Sequence, residues 1–178
     1  PATTLASGQY TLTVTYPGAS CTSNPSTANV TVNAPLSAIS GASTVCVSST
    51  TTYSNPTGGG TWSSSNTGVA TVGVTSGVVT GFFAGTATIT YRVGACIATA
   101  TITVNPLPVG IAGTLAVCEG STTTLTNATA LPAGTWASSN IAVATVTGAA
   151  STTETVTGVA AGTSRISYIL PTGCATSS

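Results

Sequence analysis

The sequence predicts an all-β protein made of small antiparallel sandwiches in tandem, and three observations carry that prediction: composition, alternation and repetition. Of 178 residues, 42 % are hydrophobic and only 2 % are charged, with two arginines, two glutamates and no lysine, aspartate, histidine or methionine. The chain is crowded with Val, Thr and Ile, which suit a half-buried pleated surface. Alternation is plain in Thr86-Ala87-Thr88-Ile89-Thr90-Tyr91-Arg92-Val93, where Ala87, Ile89, Tyr91 and Val93 fall on one face and the Thr and Arg residues on the other. That is the period of a strand with one buried face. Gln9 to Thr15 and Thr99 to Val104 read the same way, and clusters such as Gly58 to Gly60 and Ser63 to Asn66 read as turns.

Repetition sets the domain organisation. Gly60-Thr61-Trp62-Ser63-Ser64-Ser65-Asn66 returns as Gly134-Thr135-Trp136-Ala137-Ser138-Ser139-Asn140, and Val69-Ala70-Thr71-Val72 returns as Val143-Ala144-Thr145-Val146. Trp136 follows Trp62 by a slightly shorter offset than Val156 follows Val79, so the second copy holds a small insertion. The opening of the chain holds part of a third copy, in which Ala28 to Asn33 parallels Ala100 to Asn105. The expected division is a two-strand C-terminal piece at 1–35, a complete domain at 36–107, and a domain lacking its last strand at 108–178. Asn33-Ala34-Pro35 and Asn105-Pro106-Leu107-Pro108 form short stiff junctions, because proline fixes φ and cannot extend a strand ladder. The chain begins at Pro1 and reads as a window on a longer continuous array, with no signal peptide in view.

These motifs resemble a known family. Trp62 to Asn66, Val69 to Val72, Gly77 to Gly81 and Ala84 to Ile89 are similar to the bacterial immunoglobulin-like group 2 repeat. The Thr-rich alternating strand, the cysteine and the closing Thr-Val-Asn-Pro also resemble repeats of giant surface proteins in Bacteroidota. The resemblance implies tandem immunoglobulin-like sandwiches, a stalk or fibre module of an adhesin or filament, and a secreted, cell-surface location. In such proteins any grip on a host or prey cell surface lies in other domains, so no binding residue carries over.

The residues themselves offer little chemistry. Zero net charge and two arginines exclude the electrostatic footprint of a nucleic-acid or polybasic membrane binder. No run approaches the 20 or so apolar residues of a transmembrane helix. Without histidine there is no imidazole base, and without aspartate no Asp-rich calcium loop. Glu119 and Glu154, the second placed in the inserted turn, do not supply a facing carboxyl pair to each domain. No catalytic residue, cofactor or metal site is therefore expected. Trp62 and Trp136 read as packing residues rather than sugar platforms, and Tyr10, Tyr91 and Tyr168 as core residues whose hydroxyls reach backbone partners. Asn29-Val30-Thr31 and Asn127-Ala128-Thr129 fit a glycosylation sequon, taken here as chance matches.

The five cysteines are isolated, unlike the clustered ligands of a zinc site. Repeat register pairs Cys46 with Cys96 and Cys118 with Cys174, one bridge within each domain, and leaves Cys21 to a partner upstream; buried free thiols are the alternative. A bridge closing about 50 residues would stabilise by about 4 kcal/mol in the chain-entropy model and calls for an oxidising compartment. The expected function is a structural stalk or filament module, assembling laterally with other copies of itself because no net charge holds identical rods apart. The alternatives are a carbohydrate- or protein-binding adhesin domain, and more remotely an accessory module of a secreted enzyme. Loops of Gly, Ser, Thr, Asn and Ala favour the stalk.

Overall fold

Alternating Thr and apolar residues give strands throughout, and the computed structural model, which describes residues 8–14, 26–129 and 132–178, contains no helix among them. The first unit is a hairpin of β1 (Gly8–Val14) and β2 (Ser26–Val32), with Gly8 opposite Val32. The next comprises β3 (Thr44–Cys46), β4 (Thr50–Thr52), β5 (Thr61–Ser64), β6 (Ala70–Val72), β7 (Val78–Gly81), β8 (Gly85–Val93) and β9 (Cys96–Asn105). The last comprises β10 (Ala112–Gly113), β11 (Thr122–Thr126), β12 (Thr135–Ser138), β13 (Ala144–Thr145), β14 (Thr153–Gly158), β15 (Ile166–Ile169) and β16 (Ala175–Ser177).

In the middle unit the sheet β3-β9-β8-β5 packs on the sheet β4-β7-β6. One core lies between them, built from Tyr53, Trp62, Ala70, Val79, Ala87, Ile89, Tyr91, Ile102 and Val104. Ala87, Ile89 and Tyr91 are all buried and Arg92 is exposed, as the alternation predicts. In the last unit β10-β11-β14-β13 and β12-β15-β16 enclose Leu125, Trp136, Ala144, Val156, Ile166, Tyr168 and Leu170. Two packed sheets, antiparallel except for one pair, make each an immunoglobulin-like sandwich.

The exception sets where the chain leaves the repeat. β3 runs parallel to β9, with Thr44 beside Thr103, Val45 beside Val104 and Cys46 beside Asn105. The opening strand of the repeat therefore lies alongside its closing strand, and Cys46 ends level with the exit of the chain. β9 enters from the opposite end through a two-residue turn, Gly94-Ala95, that places Val93 opposite Cys96. Gly94 has φ +57°, a conformation glycine adopts without penalty.

Each tyrosine of the closing hairpin organises the loop before the tryptophan strand. The Tyr91 hydroxyl donates to Thr57 O at 2.6 Å and accepts from Gly60 N at 2.9 Å, and Tyr168 Oη accepts from Gly134 N at 2.6 Å. Glycine is required there, since a Cβ at Gly60 would stand 2.4 Å from Tyr91 Cζ and one at Gly134 2.5 Å from Ile169 O. The rings then pack against the tryptophans, tilted by 43° with centroids 4.5 Å apart for Trp62–Tyr91 and edge-on at 62° and 5.0 Å for Trp136–Tyr168. Such pairs add about 0.5–1.5 kcal/mol beyond their burial.

Candidate functional site at the inter-repeat joint

The residues singled out for chemistry fall into structural places. Trp62 and Trp136 are 6 % and 3 % exposed and present no stacking face, and Trp136 Nε1 donates to Ser151 O at 2.9 Å. Burial pushes the Tyr53 phenol above its ordinary value, and its hydroxyl donates to Thr101 O. Arg92 and Arg165 are exposed strand residues, and Glu119 is exposed beside Cys118. No group of three or more potential metal ligands occurs among the described residues. Cys21 and the side chains of Tyr10 and Asn29 lie outside the described part of the chain.

Glu154 departs from its expected place. It sits in β14, opposite Leu125 and 4 % exposed, rather than in the inserted turn. Its carboxyl accepts from Thr147 N, Thr147 Oγ1 and Thr155 N at 2.9–3.2 Å. The insertion is the loop that brings Thr147 over it, so the carboxyl is a satisfied internal acceptor.

The cysteine pairing also departs from expectation, and the departure creates the site. The bridge joins Cys46 to Cys174, 128 residues apart, with Cα atoms 5.7 Å from each other. Cys46–Cys96 and Cys118–Cys174 are thereby both corrected, and Cys96 and Cys118 carry free thiols. The reason is strand length. Cys46 is level with Asn105, whereas Cys96 begins the same ten-residue strand at its other end. At about 3.4 Å per residue the two lie roughly 30 Å apart, against the 4.4–6.8 Å between Cα atoms that a disulfide permits. Cys174 instead follows Gly173 (φ +84°) in the turn joining β15 to β16, where Leu170 N donates to Cys174 O at 2.8 Å. That turn touches the exit of the preceding repeat, with Cys174 Sγ 4.0 Å from Asn105 O.

Three further contacts hold the same joint. Val47 N donates to Asn105 O at 2.9 Å. On the far side of the prolines, Asn127 Nδ2 donates to Val109 O at 2.7 Å, and Thr129 Oγ1 accepts from Val109 N at 2.9 Å. Asn127 is 1 % exposed, and its Oδ1 also accepts from Thr129 N at 3.0 Å. Pro108, between these anchors, is buried. The chain thus crosses from one repeat to the next, Asn105 to Val109, with both ends bonded and a covalent bridge beside them.

In the sequence Asn127 and Thr129 read only as a sequon. The repeat itself carries the better signal, because Asn55-Pro56-Thr57 occupies the same place one repeat earlier. Asn55 Nδ2 donates to Ser37 O at 2.6 Å and its Oδ1 accepts from Thr57 N at 3.0 Å, which is the same clasp on the preceding joint.

Comparison with known proteins agrees with this architecture. Residues 22–105 match the family model of the bacterial Ig-like domain (group 2), just under half of the chain. No curated protein matches. Among solved structures, the C-terminal 282-residue fragment of intimin, in complex with the intimin-binding domain of the translocated intimin receptor, aligns with a TM-score of 0.50. That alignment has 17 % identity and covers 82 % of this chain and 63 % of that one. The S-layer protein rSbsC(31-844) aligns at 22 % identity and TM-score 0.37 over 85 % of this chain, which spans 29 % of that one. SbsC domains 4 and 5 align at 22 % identity and TM-score 0.39, covering 81 % and 96 % of the two chains. At 17 % identity the likeness to the intimin fragment is one of fold alone.

The anchoring role of Asn127 has a measurable consequence. Asn127→Ala removes the donor to Val109 O and the acceptor for Thr129 N, and should cost about 1–3 kcal/mol in denaturant unfolding. Unchanged stability, within about 0.5 kcal/mol, would show that the joint does not depend on this side chain.

Proposed function

We propose that this chain is a structural stalk module of a long extracellular repeat protein, a cell-surface adhesin or fibre, with no catalytic activity of its own. The single observation that carries the reading is the Cys46–Cys174 bridge across the joint. A bond between two neighbouring sandwiches adds nothing to either core, but it fixes their relative position and resists extension. It also requires an oxidising compartment, in keeping with an exported protein. The anchors at Asn127 and Thr129 act in the same direction. The reading is tested on the cell. Antibodies raised against residues 36–178 should label intact, unpermeabilised cells or their shed fibres, and external protease should remove the label. Label that appears only after permeabilisation would contradict it.

Lateral assembly with other copies of the chain is part of the same proposal. The exposed strand positions are mostly Thr and Ser, which hydrogen-bond across an interface without the desolvation cost of ions. Association through neutral polar faces should persist in light scattering from low salt to about 1 M, where the Debye length is only ~3 Å. Single rods at every salt concentration would contradict it.

A second reading, a protein- or carbohydrate-binding domain, draws on one feature. Phe82 and Phe83 are 49 % and 71 % exposed and flank a shallow surface site of about 370 Å³ with Thr67, Gly68 and Thr71. The intimin fragment, part of which shares this fold, was solved in complex with the intimin-binding domain of its translocated receptor. The second repeat has Val159-Ala160 at the corresponding place, so the aromatic pair is not a property of the repeat.

A further inference from the structure

We infer that the bridges run from each repeat to the next along the array, and that Cys96 and Cys118 are the half-sites that bond this pair of repeats to the repeats on either side. The inference rests on the stalk reading above and extends it from one joint to every joint.

Two independent geometries support it, one at each thiol. Cys118 stands in a turn that repeats the backbone bonds of the Cys46 turn to the strand beside it. Ser49 N donates to Cys46 O at 3.0 Å and Ser121 N to Cys118 O at 3.0 Å, while Ser48 N donates to Gly81 O and Gly120 N to Gly158 O, both at 2.9 Å. Cys46 uses that position to reach the following repeat, and Cys118 is exposed in the same position one repeat later. Cys96, in turn, is the counterpart of Cys174 at the tip of the closing hairpin. Cys174 Sγ lies 4.0 Å from Asn105 O at the exit of the preceding repeat, and Cys96 Sγ lies 3.7 Å from Ala34 O at the exit of β2. Ala34 follows Asn33, the repeat counterpart of Asn105, so both hairpin tips face the same feature of the unit before them.

Among the described cysteines the alternatives fail, on distance or because the partner is already bonded. Cys96 is separated from Cys46 by the length of β9, and Cys174 is already bonded to Cys46 and so is closed to Cys118. Cys96 points back toward the hairpin of β1 and β2, whereas Cys118 sits at the opposite end of the following repeat. The partner of Cys118 is therefore a hairpin-tip cysteine of the next repeat, and the partner of Cys96 is an exit-turn cysteine of the previous one.

Each bridge forms by thiol–disulfide exchange with the disulfide of an exported thiol oxidase. One cysteine thiolate attacks that disulfide to give a mixed disulfide, and the second cysteine displaces the oxidase thiol. The two protein thiols lose two protons and two electrons in forming one S–S bond, and the oxidase disulfide leaves as two thiols.

The test is peptide mapping of the full-length protein taken from the cell surface, with free thiols alkylated before digestion and no reductant. Cys118 should appear linked to a hairpin-tip cysteine of the following repeat, Cys96 to an exit-turn cysteine of the preceding repeat, and Cys46 to Cys174. Alkylated Cys96 or Cys118 beside an intact Cys46–Cys174 link, or either thiol bonded within its own repeat, would overturn the inference. Cys118→Ser in the same full chain provides a second measurement. It should expose one new alkylatable thiol in the following repeat and leave Cys46–Cys174 in place; no new thiol would also overturn it. Surface labelling decides the stalk reading separately. Labelled cells with free Cys96 and Cys118 would retain the stalk and reject the staples, while linked cysteines in an unexposed protein would do the reverse.

Discussion

The length of β9 constrains everything else in the molecule. Its ten residues, Cys96 to Asn105, span the whole sandwich, so the hairpin turn lies at one end and the chain's exit at the other. Because β3 joins β9 in parallel at its exit end, Cys46 is carried to that end as well. A repeat built this way presents one cysteine at each pole and cannot bond them to each other. The bond is forced outward, to the pole of the neighbour. The same arrangement turns a repeat that is ordinary as a folding unit into one with two covalent contact points. A bridge closing a loop of 128 residues restricts the unfolded chain by about 5 kcal/mol in the chain-entropy model, against about 4 kcal/mol for either one of the two intra-repeat bridges that were expected.

With 2 % of residues charged, the fold relies on neutral hydrogen bonds where other proteins use ion pairs. Hydroxyls and amides hold the local structure: Ser64 and Ser138 donate to Ala70 O and Ala144 O at 2.7 and 2.6 Å, and Asn66 and Asn140 cap the turns that follow. Even the one buried carboxyl, Glu154, is satisfied by Thr147 and two backbone N–H groups. Among the described residues no buried side-chain nitrogen or oxygen lacks a partner. Such a network is insensitive to ionic strength.

The sandwich is legible in the sequence because period-2 alternation reports burial directly, and Ala87, Ile89 and Tyr91 all lie where it places them. The tryptophans and tyrosines are legible through their repetition. The joint is not, for physical reasons that differ between its parts. Repeat register shows which cysteines are equivalent, but equivalence is the same for bridges within and between repeats. Only the parallel pairing of β3 with β9, a contact between segments far apart in the chain, decides between them. Glu154 lies outside its expected turn because a strand can extend into an insertion when a neighbouring loop supplies donors. Asn127 is hidden by its fit to a sequon, although Asn55-Pro56-Thr57 shows the same clasp without one. Proline at its centre is what a glycosylation site excludes and a structural turn tolerates.

The most direct test of the joint is single-molecule extension of the chain held at its two ends, before and after reduction. With Cys46 bonded to Cys174, the 128 residues between them are shielded from force. At up to 3.3–3.6 Å per residue, reduction should lengthen the fully extended chain by about 450 Å. Two intra-repeat bridges would shield fewer residues, and reduction would then release about 370 Å in two steps. A single gain of the larger size is the result this structure requires. Two smaller gains, or no change on reduction, would contradict it.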